Sequence, residues 1–97
     1  MTNNKYKILV IEDDLSLQEI LRRTLEQERY IVEVASDYRT GLIKLSDYTY
    51  DCILLDINLP DGNGLDLLRE LKEMRKSGSL IIISARDSIE DKVEGLD

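Results

Sequence analysis

Four residues stand where side chains could do chemistry together: Glu12, Asp13, Asp56 and Ser84. Each follows an apolar run. Ile8-Leu9-Val10-Ile11 leads into Glu12-Asp13-Asp14, Cys52-Ile53-Leu54-Leu55 into Asp56, and Leu80-Ile81-Ile82-Ile83 into Ser84. Carboxylates gathered in one place call for a cation, because two of them ~4 Å apart repel by ~4 kcal/mol at an effective dielectric of ~20. Mg²⁺ suits such a nest. It takes oxygen ligands and keeps several waters, so one or two carboxylates and a substrate phosphate hold it. Glu12 and Asp13 are its candidate ligands. Asp56 is a candidate nucleophile toward phosphorus, and the Ser84 hydroxyl a candidate donor to a phosphoryl oxygen. Each residue also has a plainer reading. Asp14 reads as the cap of the following helix, Asp56 alone as the start of a turn, and Ser84 alone as a polar strand terminator. Arg86 and Lys92 read as solvated helix-end charges. The pairing of Asp13 with Asp56 favours a site over coincidence.

The elements that must position these residues follow from periodicity. The runs are apolar on both faces, as buried strands of a parallel sheet are. The carboxyl ends of such strands share one edge, where open α/β sheets hold their sites. Strands are expected at Lys7 to Ile11, Ile31 to Ala35, Asp51 to Asp56 and Leu80 to Ile83. The second alternates and carries Glu33, which suits a sheet edge. Helices are expected at Leu15 to Glu28, with Leu17, Ile20, Leu21 and Leu25 inward, and at Tyr38 to Asp47, capped by Ser36 or Asp37. A third helix is expected at Leu65 to Arg75, with Leu65, Leu68, Leu71 and the Lys72 stem inward and Gly78 as its stop. Asp87 or Ser88 caps a last helix through Leu96. Leu59-Pro60-Asp61-Gly62-Asn63-Gly64 is the most turn-rich segment. Tyr30 and Tyr48 are expected in the partial core. The fold class is α/β, a doubly wound parallel sheet with right-handed crossovers.

Composition narrows the function classes. The 97 residues make one domain, 1–97, with a small stability margin. A net charge of −7 disfavours nucleic-acid and membrane surfaces. No apolar run approaches the ~20 residues of a membrane span, and no signal peptide is legible. Cys52 lies inside an apolar run and reads as a buried structural thiol in a reducing, cytoplasmic compartment. The chain has no histidine, which excludes histidine acid/base catalysis and histidine metal ligands within it. Glycine-rich dinucleotide and phosphate-loop lysine motifs are missing, as are paired cysteines for zinc.

Three segments together resemble the receiver domains of two-component response regulators. They are Ile8-Leu9-Val10-Ile11-Glu12-Asp13-Asp14, then Asp56-Ile57-Asn58-Leu59-Pro60-Asp61-Gly62-Asn63-Gly64, then Ile82-Ile83-Ser84-Ala85-Arg86-Asp87. Each is weak alone; in order, at these spacings, they are specific. The resemblance implies a flavodoxin-like receiver fold. It implies that Asp56 is the phosphoacceptor, and that Glu12, Asp13, Asp56 and the Asn58 backbone carbonyl hold Mg²⁺. Ser84 matches the switch hydroxyl, and Asn58 and Arg86 match positions that tune phosphoryl lifetime. The implied partner is a sensor histidine kinase. The implied activity is a signalling phosphoacceptor with slow autodephosphorylation, not an enzyme in the ordinary sense. The segments around Ser84 and Val93 look most like receivers that carry a winged-helix DNA-binding domain.

The family's fifth strand, phosphate-binding lysine, switch aromatic and fifth helix have no counterpart within residue 97. The domain is therefore expected to be incomplete at its carboxyl terminus. It is expected to bind Mg²⁺, to be phosphorylated poorly and to switch little, and to exist as a dimer or swapped assembly through Leu80–Ile83 or as a partly molten monomer. Two alternatives stand beside the leading reading. One is a Mg²⁺-dependent phosphohydrolase of the haloacid-dehalogenase type, which wants a second Asp where Asn58 stands. The other is a pseudo-receiver that only binds partners.

Overall fold

The computed structural model describes residues 6–74 and 79–83. Ser84, Arg86, Lys92, the Gly78 stop and the expected last helix lie outside the described residues. The elements run β1 (Lys7–Ile11), α1 (Leu15–Gln27), β2 (Ile31–Ala35), α2 (Tyr38–Asp47), β3 (Cys52–Asp56), β4 (Asn58–Leu59), β5 (Gly62–Asn63), α3 (Gly64–Glu73) and β6 (Ser79–Ile83).

Four strands form one parallel sheet in the order β2-β1-β3-β6. Val10 pairs with Val34 on one side and Leu54 on the other, and Leu54 in turn with Ile81. The chain steps outward from β1 to β2, then back across to β3. Right-handed crossovers in opposite directions place their helices on opposite faces. So α1 covers one face and α2 the other. The direction of winding reverses between β1 and β3, and an open sheet has its crevice at the carboxyl ends of such a strand pair.

Strand alternation divides the apolar residues between the faces. Leu9 and Ile11 of β1, Ala35, Ile53, Leu55, Leu45 of α2, Leu59, Leu67 of α3 and Tyr50 form one buried cluster, flanked by Tyr38, Leu42, Leu71 and Met74. Ile8 and Val10 point the other way and are also buried. α1 contributes no fully buried residue there. Leu17, Leu21 and Leu25 are half-buried, while Ile20 is exposed rather than inward.

Local chemistry sets the helix ends. Asp14 accepts the Ser16 and Leu17 N–H groups, and Asp37 accepts that of Thr40. Asn63 accepts the Leu65 N–H at 2.7 Å. These are side-chain caps of otherwise unpaired first-turn donors. α1 ends one residue earlier than expected because Glu28 is its cap and Arg29 turns left-handed, with φ 71°. Arg29 N–H bonds Glu26 and Tyr30 N–H bonds Leu25, the Schellman closure.

Several expectations need correction. With Asn63 as cap, α3 starts at Gly64, and its inward stripe is Leu67, Leu71 and Met74; Leu65 and Lys72 are exposed. β3 starts at Cys52, because Asp51 turns its carboxylate back to the Lys7 N–H at 2.8 Å. The buried tyrosine is Tyr50, while Tyr30 and Tyr48 are 37% and 50% exposed. Cys52 is only half-buried, although burial still raises its thiol pKa. The turn-rich segment contains a two-residue antiparallel ladder, Asn58–Leu59 against Gly62–Asn63.

Candidate functional site

The site grows from the ends of β1 and β3. Strand pairing continues one residue beyond β1, with the Glu12 N–H on the Ala35 carbonyl at 2.9 Å. The Gln18 amide of α1 reaches back to the Glu12 carbonyl at 2.8 Å and to the Ser36 hydroxyl at 3.2 Å. The backbone of Glu12 is thereby fixed on both its N–H and its carbonyl at the end of the sheet. Its carboxylate is fully buried. One oxygen, Oε2, accepts the Asp14 N–H at 3.0 Å. The other, Oε1, is buried and has no hydrogen-bond partner among the described residues.

Asp56 closes β3 and is 1% exposed. Its Oδ1 accepts the Asn58 N–H at 3.1 Å. Asp13 is half-buried beside it. Glu12, Asp13 and Asp56 each bring one carboxylate oxygen within 4.8 Å of the others. A cavity of about 380 Å³ opens next to them, lined by Asp13, Asn58, Leu59 and Pro60. The first turn of α3 lies directly against the end of β3. A Cβ on Gly64 would stand 2.6 Å from the Asp56 carbonyl oxygen and 2.9 Å from the Ile57 Cα. Only glycine allows that approach, and the Gly64 N–H uses it to reach the Ile57 carbonyl at 2.7 Å.

The electrostatics are unbalanced. Among the described residues no lysine or arginine forms an ion pair with Glu12 or Asp56. Burial pushes the Glu12 carboxyl up to about 7, helped by the Asp56 and Asp13 charges and opposed by the Asp14 N–H. The Asp56 carboxyl is raised too, first by burial and then by Asp13, against the Asn58 N–H. A buried carboxylate oxygen without a donor costs several kcal/mol unless it is protonated or meets a cation. Three converging carboxylates, one of them carrying that orphan oxygen, fit a hard divalent cation such as Mg²⁺.

Of the residues expected at the site, Glu12, Asp13 and Asp56 converge, and Asn58 lies at its rim. Ser84 and Arg86 fall outside the described residues. Two contributors escaped sequence reasoning. Gln18 gave no signal beyond a polar residue on α1. Asp61 read as a turn residue, although its carboxylate binds the start of α2.

Comparison with known proteins places this geometry in context. Residues 8–97 match the response regulator receiver domain family. The chain is 39% identical over 90 residues to the two-component response regulator PhoP of Pseudomonas aeruginosa, covering 93% of this chain and 40% of that protein. It is 42% identical over 91 residues to the response regulator ArlR of Staphylococcus saprophyticus, covering 94% and 41%. It thus spans about two-fifths of the length of these curated relatives. Among solved structures, a CheY-like response regulator receiver domain from Methanospirillum hungatei superposes with a TM-score of 0.83 at 31% identity, covering 96% of this chain and 74% of that one. A parallel sheet wound with helices on both faces, an acidic cluster at its switch point and these matches agree: the chain belongs to the response regulator receiver domain family of two-component systems.

Proposed function

We propose that this domain is a phosphoacceptor in which Asp56 receives a phosphoryl group at a Mg²⁺ site formed by Glu12, Asp13, Asp56 and the Asn58 backbone carbonyl. The observation that carries the reading is the buried Glu12 Oε1, without a hydrogen-bond partner among the described residues, on a carboxylate that converges with those of Asp13 and Asp56. Bound Mg²⁺ would neutralise charge that builds on the transferring group. An Asp56 carboxylate oxygen forms the bond to phosphorus while the P–N bond of a kinase phosphohistidine breaks. The electron pair passes to the imidazole nitrogen, which takes up a proton. The Asn58 N–H, already on Asp56 Oδ1, holds the carboxylate orientation for that attack. Ser84 is proposed as the hydroxyl that then turns toward the phosphoryl group, and Asn58 and Arg86 as residues that set its lifetime.

The partner proposed is a sensor histidine kinase, and the output is transcription through a winged-helix domain of the parent protein in the cytoplasm. Support comes from the identity to two-component regulators along this segment. No helix among the described residues is long and apolar enough to cross a membrane. β6 ends the sheet among the described residues. An apolar strand so placed is a template for a second copy, and light scattering across a dilution series tests that self-association.

Intact-mass spectrometry after incubation with acetyl phosphate and Mg²⁺ tests the central reading. The expected result is a gain of one phosphoryl group, however partial, that the Asp56→Ala variant loses. An equal gain in the variant, or Mg²⁺ binding without any gain, overturns it.

A further inference from the structure

Asp61 sits at the tip of the β4–β5 turn, 23 residues from Tyr38, yet its two carboxylate oxygens receive the Tyr38 and Arg39 N–H groups at 2.6 and 3.1 Å. Asp37 takes the next donor, Thr40 N–H, at 2.8 Å. The first turn of α2 is thus capped by two aspartates, one from its own chain neighbour and one from the loop that follows Asp56. The contact is reinforced by packing. A Cβ on Gly62 would lie 2.6 Å from Tyr38 Cδ2, so the loop backbone rests on the Tyr38 ring. Leu59 is buried in the core cluster that Tyr38 flanks. At its other end the same loop presents the Asn58 N–H to Asp56 and closes through Gly64 N–H on Ile57.

The geometry points to Asp61 as a positioning residue for the acceptor site. It clamps the 57–63 loop onto α2 and so holds Asn58 in register with Asp56. A charged bidentate acceptor at a helix amino terminus is stronger than a neutral one and gains from the helix dipole. The clamp acts on the loop that joins β3 to α3, and Asp61 is none of the proposed Mg²⁺ ligands.

Two readouts on Asp61→Ala test it. The first is amide hydrogen exchange of Asn58 and Gly64 in Mg²⁺-free protein, which stands apart from the proposed function. The second, which rests on that function, is a Mg²⁺ titration. The clamp predicts faster exchange at both amides and Mg²⁺ binding weaker by about tenfold, the lower end of what supporting residues around a metal site contribute. Asp37→Ala removes the other cap of the same helix and should change neither readout. Asp61→Asn keeps one acceptor and should move exchange in the same direction by less; it carries the test if the alanine variant does not fold. Unchanged exchange at Asn58 and Gly64, or the same change in Asp37→Ala, overturns the clamp. Wild-type protein that binds no Mg²⁺ overturns the metal reading instead, and the exchange result alone then decides for or against Asp61.

Discussion

Near the amino ends of β1 and β3, the Glu33 carboxylate has Lys7 at 3.5 Å and Lys44 at 3.6 Å, and it accepts the Tyr50 hydroxyl at 2.6 Å. The Lys7 ammonium also lies over the Tyr48 and Tyr50 rings, 4.9 and 5.3 Å from their centres. At the carboxyl ends of the same two strands, Glu12, Asp13 and Asp56 crowd together, and among the described residues neither Glu12 nor Asp56 has a lysine or arginine in an ion pair. The pKa directions record the contrast. Tyr50, with the two lysines behind it, lowers the Glu33 carboxyl, while burial and like charge raise Glu12 and Asp56. One end of the sheet is a finished structural network. The other is held in a costly arrangement that relaxes only when a proton or a cation arrives. Strained electrostatics of this kind concentrate at functional sites.

The two ends of the sheet respond most differently to pH. Glu12 has an ordinary value of 4.5 and a folded value of about 7. Between those values the folded state holds a proton that the unfolded state has released, so stability falls as pH rises through that window. At 1.36 kcal/mol per unit, metal-free protein should lose about 3 kcal/mol between pH 4.5 and pH above 7, read by urea unfolding. The raised Asp56 acts in the same direction. Glu12→Gln should flatten the profile and leave the variant more stable than wild type at pH 8. Mg²⁺ at about a hundredfold over its Kd should return about 2.7 kcal/mol to wild type at pH 8. A pH-independent wild type would remove the contrast between the two ends.

Smaller effects probe the finished end. Tyr50→Phe leaves its ring in place but deprives Glu33 of a short, half-buried donor. The expected loss is about 2 kcal/mol in chemical denaturation, the range for hydrogen bonds to charged groups. Lys44→Met should cost less than about 0.5 kcal/mol, since its ion pair is long and partly solvated and would be screened by added salt. A cost for Lys44→Met as large as that of Tyr50→Phe would mean that charge, rather than the Tyr50 hydroxyl, organises this network.

Alternation around Glu33 revealed the edge strand β2, and apolar runs revealed β1 and β3 to within a residue, because strands buried on both faces leave no ambiguity of period. Acid residues at their carboxyl ends revealed Glu12, Asp13 and Asp56, because parallel topology brings those ends to one edge. Helical phase was less legible. Leu65, Leu67 and Leu68 are all plausible core residues until the Asn63 cap fixes where the turn begins. The mini-ladder of β4 and β5 is too short to show a period. Long-range polar contacts left no trace at all. Asp61 on α2, Tyr50 on Glu33 and Gln18 on Glu12 depend on distances that only the packed chain defines.

Gln18 is subject to chemical ageing through its side-chain amide. Its amide nitrogen faces two backbone carbonyls, those of Glu12 at 2.8 Å and Ala35 at 3.4 Å. Deamidation there would exchange a donor for an anion aimed at acceptors, beside a cluster already short of positive charge. A slow covalent change on α1 would then loosen the joint between β1 and β2. Peptide mapping of stored protein, set against its unfolding midpoint, would show that loss as an acidic, less stable fraction.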